Sequence, residues 1–198
     1  LTKIYQQQYF ALRDLGNSFL AVATAAAAGF GSAVASAIEW ERAMAGVTRT
    51  AGQFVDGQLA NKDAIDKVEE GLINLANTKP IAPGELASIA EEAGALGLAA
   101  DEITPFTSVI ADISATTDLA SKDATSNLAR ISKIMGNTTD EYENMGSTTL
   151  ELGRSTAATE GEIVSMSRRI AGAGKQVGLT TPQVLAFSAA LASVGVRE

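Results

Sequence analysis

The sequence predicts an all-α protein, an array of helical hairpins with glycine-rich turns that is preceded by an Ala-rich hydrophobic helix. Hydrophobic residues make up 46% of the chain but aromatic residues only 5%, so the apolar content is mostly Ala, the strongest helix former. Apolar residues recur with the helical period between Gly and Pro breaks. Alternating runs of β-branched and aromatic residues, which are typical of strands, are missing.

Residues 1–38 form the first predicted segment, in which the end of one helix breaks at Gly16 and a charge-free run follows over residues 19–38. The length of this run matches a bilayer span, but its low content of Leu, Ile and Val favours a helix buried in a bundle. Small residues at four-residue spacing would let another helix approach closely. Both interpretations stay open for this candidate membrane or self-association segment, whose residues are Phe19, Leu20, Val22, Gly29, Phe30, Val34 and Ile38.

Residues 39–82 are predicted to form a helical entry to the core. A first polar helix starts at residues 39–42 and is weakened by Gly46, Gly52 and Gly57, and a cleaner helix covers residues 63–77. A break at residues 78–83 ends this segment, because Pro80 and Pro83 interrupt a continuous helix.

Residues 83–198 form the predicted core. Glycine stops and capping residues place helices at residues 84–98, 101–116, 121–135, 139–152, 159–177 and 181–194. Thr159 and Glu162 have the spacing of a capping box, and Gly97 and Gly178 suit left-handed helix ends. The chain starts at Leu1 and stops just after a periodic run, so we interpret it as a fragment of a longer polypeptide.

Two stretches of the core resemble each other. GELASIAEEAGALGL (84–98) matches GEIVSMSRRIAGAGKQVGL (161–179) at both ends, and a third helical pair (121–152) lies between them. We favour a real duplication of a helical hairpin over a chance likeness of Ala-rich helices, because the following helices share the spacing i, i+3, i+7, i+10. The predicted repeat-core packing residues are Ile103, Phe106, Ile110 and Ile113 in one helix and Val184, Phe187, Leu191 and Val194 in the other.

The sequence offers no convincing chemistry. It contains no His and no Cys, the residues that most often act as general bases, nucleophiles or metal ligands. Gly172-Ala173-Gly174-Lys175 resembles part of a P-loop but lacks the first Gly and the Ser or Thr after Lys. Pairs of carboxylates stand mostly at helix starts, where capping explains them. A net charge of -8 disfavours phosphate binding. We therefore expect no enzyme, no cofactor, no metal and no specific nucleic acid.

Several stretches resemble one family in order along the chain. TKPIAPGELASIAEEAGALGLAADEITPF (78–106), ATTDLASKDATSNLARISKIMG (115–136) and residues 145–196 are similar to the core of phage tail tape measure proteins, a minor tail protein family. EWERAMAGVTRT (39–50) resembles the entry to that core, with Trp40 in place of a more typical Phe. The resemblance covers roughly residues 39–198.

The resemblance implies a structural protein of the virion that is assembled in the host cytoplasm. Members lie in several copies in the tail tube lumen, set tail length during assembly and leave ahead of the DNA. The implied partners are further copies of the chain as a trimer or hexamer, the tail tube protein, tail assembly chaperones, tail tip proteins and, for the hydrophobic segment, the host membrane. The family core has no catalytic residues. The alternative function is that of a membrane-active helical protein, such as a pore former or an effector, which would not need the repeat.

Overall fold

The computed structural model describes residue 38 and residues 40–55 and 58–195. The chain divides into two compact units, Leu1–Glu41 and Arg42–Glu198, and nearly all of the described residues belong to the second. Residues 42–82, which include most of the predicted entry segment, thus lie in the same compact unit as the predicted core.

Helices dominate the described chain, which confirms the prediction of an all-α array. Helix α1 covers residues 40–51. The remaining elements follow in chain order: β1 (Phe54–Val55), β2 (Gln58–Leu59), α2 (Lys62–Thr78), α3 (Pro83–Ala95), α4 (Ala100–Thr116), α5 (Ser121–Met135), α6 (Thr139–Ser155), α7 (Glu160–Gln176) and α8 (Thr181–Ser193).

A hairpin of two short strands stands between α1 and α2. They pair antiparallel, with Phe54 opposite Leu59 and Val55 opposite Gln58. The side chain of Asn61 ties the hairpin to the end of α1, because its Oδ1 accepts from the Gln53 N–H at 2.7 Å and its Nδ2 donates to the carbonyl of residue 51 at 3.1 Å. Strands of two residues are too short to produce a visible alternation in the sequence.

Two rows of helices build the second unit. The even helices pack in the order α2, α4, α6, α8, and α3, α5 and α7 pack beside them in a second row. Helix α1 extends this second row, since Arg49 pairs with Glu91 of α3 at 2.6 Å and Gly94 of α3 closely approaches Thr50. One odd and one even helix thus form a repeat, and each repeat packs on its neighbours, as in helical repeat proteins.

The middle pair, α5 and α6, differs from the hairpin that the sequence predicts. Helix α5 packs mainly on α7, α4 and α3, and α6 packs mainly on α4, α8 and α7, while α3 and α4 do pack directly on each other, as do α7 and α8. The rows, rather than the individual hairpin, therefore supply most of the packing of the middle pair.

The turns from odd to even helices share one geometry. Gly97, Gly136 and Gly178 have φ angles of 90°, 78° and 80°, a conformation that favours glycine. The N–H of the residue after each glycine donates back into the preceding helix at 2.9–3.1 Å, as in a Schellman motif. The pattern ends α3, α5 and α7 at equivalent places and confirms the predicted glycine stops.

Glycine also allows the even helices to approach each other. A Cβ atom added to Gly146 of α6 would lie 2.4 Å from Cγ1 of Val109 in α4. Val109 is buried, and its β-branched side chain has one strongly preferred rotamer in a helix. By contrast, an added Cβ at Gly172 of α7 would meet nothing within 4 Å.

We expect Gly146→Ala to lower the free energy of unfolding by about 1–3 kcal/mol, the usual range for overpacking. Chemical denaturation of the whole chain would measure this. Gly172→Ala is the matched control and should raise stability by about 0.5–1 kcal/mol through helix propensity alone. In the double variant Gly146→Ala/Val109→Ala, the two costs should not add. Equal effects of the two single glycine substitutions would contradict the close approach.

Candidate interaction surface

The apolar face of the even helices is the feature that the repeat shares. When residues are numbered from the first residue of each even helix, positions 4, 7, 11 and 14 carry apolar or aromatic side chains at every place except Thr149. These residues are Ile65, Val68, Leu72 and Leu75 in α2; Ile103, Phe106, Ile110 and Ile113 in α4; Tyr142, Met145, Thr149 and Leu152 in α6; and Val184, Phe187, Leu191 and Val194 at α8.

Sequence reasoning compared this spacing only between α4 and α8, although the apolar positions of α2 and most of those of α6 are also visible in the sequence. The spacing i, i+3, i+7, i+10 is equally present in all four helices. The likeness of these two helices to α4 and α8 is less obvious. No Gly-Leu turn precedes α2, and in α6 Tyr142 and Thr149 are polar residues at two of the four positions.

Helices α4 and α6 meet through a small set of positions. The ring of Phe106 (position 7 of α4) packs edge-on against Tyr142 (position 4 of α6), with centroids 5.5 Å apart and planes at 79°. Val109 (position 10 of α4) faces Gly146 (position 8 of α6). We call positions 7, 10 and 14 the forward face, and positions 4 and 8 the back face that covers it.

Polar groups support this contact. The Tyr142 hydroxyl donates to Oε1 of Glu102 in α4 at 3.2 Å, and burial raises the pKa of Tyr142 to about 12. At the next junction, the Thr181 hydroxyl at the start of α8 donates to Oδ1 of Asn137, just before α6, at 2.6 Å. Both bonds join residues about 40 positions apart, so they fix the register between neighbouring repeats.

The exposure of side chains on α8, at the end of the row, contradicts part of the predicted set of repeat-core packing residues. Ile103, Phe106, Ile110 and Ile113 are fully buried, as is Val184. In contrast, Phe187 is 54% exposed and Val194 is 77% exposed, and Leu191 is half-buried. The prediction that Phe187 and Val194 pack in the core is therefore wrong for the described chain. The buried side of α8 instead carries Thr181, Val184, Leu185, Ser188 and Ala189, and no described helix covers its forward face.

The candidate membrane or self-association segment falls largely outside the described residues. Phe19, Leu20, Val22, Gly29, Phe30 and Val34 lie there, and of this set only Ile38 is described, with 50% of its surface exposed. Among the helices that the structure describes, none combines the length and the apolar character needed to span a bilayer. The role of residues 19–38 stays a prediction.

The acidic side chains of the repeat cap helices. The carboxylates of Glu102, Glu141 and Glu162 accept from backbone N–H groups three residues earlier, at 2.7–2.9 Å. The Glu162 N–H in turn donates to the Thr159 hydroxyl at 3.3 Å, which confirms the predicted capping box. These contacts satisfy N–H groups that a helix start otherwise leaves without a partner.

Two features that could suggest chemistry, a groove with a carboxylate and the Gly172–Lys175 run, have structural explanations in the described chain. A groove of about 210 Å³ between α4 and α6 contains Asp112, but Lys79 Nζ already pairs with that carboxylate at 2.5 and 2.6 Å. No group of three or more acidic side chains in the described part of the chain is arranged to hold a metal ion. Gly172–Lys175 lies within the last turns of α7, so its backbone is helical and does not form a phosphate-binding loop.

Comparison with known proteins identifies the family. The family model described as phage-related minor tail protein matches residues 69–198, about two thirds of the chain. This chain belongs to the phage-related minor tail protein family. The match begins within α2 and includes every repeat from α3 onward. No curated protein and no solved structure gives a significant match.

Membership of the minor tail protein family makes this chain a structural, virion-associated component of a phage tail. Its described surface fits a role in packing and assembly, since the shared features are helix faces, turns and caps. Family membership also indicates association with other tail components.

The pKa of Glu92 in α3 reports on the packing between α3 and α5. Partial burial raises the pKa of Glu92 above its ordinary 4.5, and Lys122 opposes the shift. Because the folded chain then binds this proton more tightly than the unfolded chain, the stability contribution of Glu92 falls as pH rises from below the ordinary pKa through the raised one.

We expect Glu92→Gln to raise the free energy of unfolding near neutral pH and to have little effect below the ordinary pKa of a carboxyl group. Denaturation curves at about pH 7 and about pH 3.5 would show the difference. Glu151→Gln, at an exposed position of α6, is the control for the removal of one carboxylate charge from the chain. A Glu92→Gln variant that is less stable near neutral pH would contradict the assignment.

Proposed function

We propose that this chain is part of a tape measure protein, which occupies the tail tube lumen, sets tail length during assembly and is released when the genome is ejected. The observation that carries the proposal is the combination of minor tail protein membership with a regular helical repeat of nearly constant length. Equivalent residues Lys79, Thr117 and Thr156 follow α2, α4 and α6 directly. A chain built from equal units suits a ruler, because its length changes in equal steps.

The composition of the chain is compatible with a position in a tube through which DNA later passes. The chain has 23 acidic and 15 basic residues, and an excess of negative charge repels the phosphate backbone of DNA. We propose that the chain contacts tail proteins and further copies of itself, as a trimer or hexamer, but does not bind the genome specifically. The tail tube protein, the assembly chaperones and the tail tip proteins are the proposed partners.

We also propose that the chain has no enzymatic activity. The sequence lacks His and Cys, and the described carboxylates discussed above act as caps or pair with basic residues. General acid–base chemistry needs a titratable group held within reach of a substrate in a cleft, and the capping carboxylates are committed to backbone N–H groups.

Whole-repeat deletions test the ruler role. Removing residues 118–156 joins Thr117 to Ala157 and deletes one repeat, and removing residues 80–156 joins Lys79 to Ala157 and deletes two. In phage that carry these deletions in the full-length gene, we expect tails to shorten in proportion to the residues removed, measured by electron microscopy. Gly172→Ala, which keeps the length, is the control and should leave tail length unchanged.

The amount of shortening reports the state of the repeats in the tail. Helices joined end to end would shorten the tail by about 59 Å for one repeat and about 116 Å for two, at ~1.5 Å per residue. Repeats that stay stacked would shorten it by about 10 Å each, one interhelical spacing. Tails that assemble at full length with both deletions would overturn the ruler role while leaving membership of the tail intact.

A membrane role for residues 19–38 is a separate part of the proposal. This run carries no charge, and its length suits a bilayer, so we propose that it helps the genome to cross the host membrane. A peptide of residues 19–38 should bind liposomes, measured by flotation. A peptide with Phe30→Asp and Val34→Asp is the control and should bind less. Absence of binding by the unmodified peptide at acidic and neutral pH would end this part of the proposal.

A further inference from the structure

Lysine side chains lie over the turns that end two of the odd helices. A Cβ atom added to Gly136, in the turn from α5 to α6, would lie 3.4 Å from Nζ of Lys175 in α7. A Cβ atom added to Gly97, in the turn from α3 to α4, would lie 3.6 Å from Cε of Lys133 in α5. We call Lys133 and Lys175 the turn lysines. Each of them reaches from its own odd helix to the turn that ends the odd helix before it.

The turn lysines occupy equivalent places in the sequence. Each stands three residues before the turn glycine of its own helix, which is Gly136 for Lys133 and Gly178 for Lys175. Helix α3 has Gly94 at this place, and the described residues at the end of α1, the helix before α3, include no glycine at positive φ. The lysine therefore occurs in the odd helices whose predecessor ends in a glycine turn.

The end of a helix is a favourable place for a cation. The last carbonyl groups of a helix lack intrahelical partners and carry the negative end of the helix dipole. The Nζ atom of Lys175 places a positive charge beside the C-cap of α5, which is Gly136. At the other turn, Lys133 Nζ lies 3.9 Å from Oε2 of Glu102, the carboxylate oxygen that caps the start of α4. Both turn lysines thus lie beside negative charge on the preceding repeat.

We propose that the turn lysines hold neighbouring repeats together electrostatically. Each cation binds the negative end of the previous odd helix or the capping carboxylate beside it, so the stacking of one repeat on the next responds to salt. The odd helices involved do pack directly, α5 on α3 and α7 on α5. The inference goes beyond the proposed function and does not rest on it, because it concerns only contacts within the described array.

The test separates the neighbouring turn from the helix to which the lysine belongs. Lys175 also lies in the last turn of α7, where the dipole of α7 itself would favour a cation. The next residue, Gln176, is exposed and ends α7. The variant Lys175→Gln/Gln176→Lys keeps the composition, the net charge and a cation at the end of α7. It moves that cation about 100° around the helix axis, away from Gly136.

The readout is amide hydrogen exchange on the preceding helix, measured by NMR in the whole chain. The N–H groups of Gly136 and Asn137 both donate to the Ser132 carbonyl, at 2.7 and 3.0 Å. At low salt we expect Lys175→Gln and the swapped variant to accelerate the exchange of these two N–H groups about two- to fivefold, the range expected for a cation at a helix end.

Two further measurements serve as controls. Arg168→Gln removes an exposed cation from the middle of α7 and should leave exchange at Gly136 and Asn137 unchanged, although it changes the net charge as Lys175→Gln does. In about 1 M salt, where the Debye length is about 3 Å, the exchange rates of the Lys175→Gln variant and the unmodified chain should converge.

Two results would overturn the proposal. The first is exchange at the unmodified rate in the swapped variant, because the lysine would then act on its own helix or on nothing. The second is an acceleration of the same size at low and at high salt, because packing of the alkyl chain of Lys175, rather than its charge, would then support the turn.

Discussion

The packing of one even helix on the next is the interaction on which the rest of the structure depends. Phe106 lies edge-on to Tyr142, and Val109 fills the space left by the missing side chain of Gly146. A large side chain on one helix thus meets a glycine or an aromatic ring on its neighbour. The other neighbouring even helices, α2 with α4 and α6 with α8, also pack on each other along the row. The odd helices form the second row, on which the even helices also pack.

This arrangement explains how a chain with few aromatic residues builds a core. Its large buried side chains are concentrated at a few repeated positions, and Ala, Gly, Ser and Thr occupy much of the remaining contact surface. Small residues contribute little apolar area, but they allow close approach and dispersion contacts between backbones. In a stacked array of this kind, stability is approximately a sum of the stability of each repeat and of the contacts between neighbours. A helix at the end of the row therefore lacks one of its two contacts.

The row of packed helices also bears on the role of the chain in the tail. A minor tail protein acts by assembly, and the described surface of this chain consists of helix faces, turns and caps. The acidic side chains at the starts of α4, α6 and α7 are engaged with the backbone. The register between repeats is fixed by the hydrogen bonds from Tyr142 to Glu102 and from Thr181 to Asn137. Repetition gives the chain a modular length, which is the property that a length-determining component of a tail requires.

The sequence by itself determined the order of the helices from α2 onward, most of their ends and the family, while α3 ends three residues earlier and α6 three residues later than predicted. Helix propensity, capping residues and glycine at positive φ act within a few residues, so α5 was predicted over its full range and Gly97, Gly136 and Gly178 were recognised as stops. The spacing of Ile103, Phe106, Ile110 and Ile113 likewise identified a face that the structure buries. The self-association or membrane role of residues 19–38 stays a prediction, because that set lies almost wholly outside the described residues.

Only the tertiary structure decided which faces are covered. Phe187 and Val194 occupy the same positions as Phe106 and Ile113, and this shared spacing does not tell the two helices apart. Burial depends on whether another helix lies on the forward face, which is a contact between residues about 40 positions apart. For the same reason the sequence did not reveal that α5 and α6 pack on other helices more than on each other. A repeated pattern specifies how units join, whereas the number and order of neighbours is set by the assembled array.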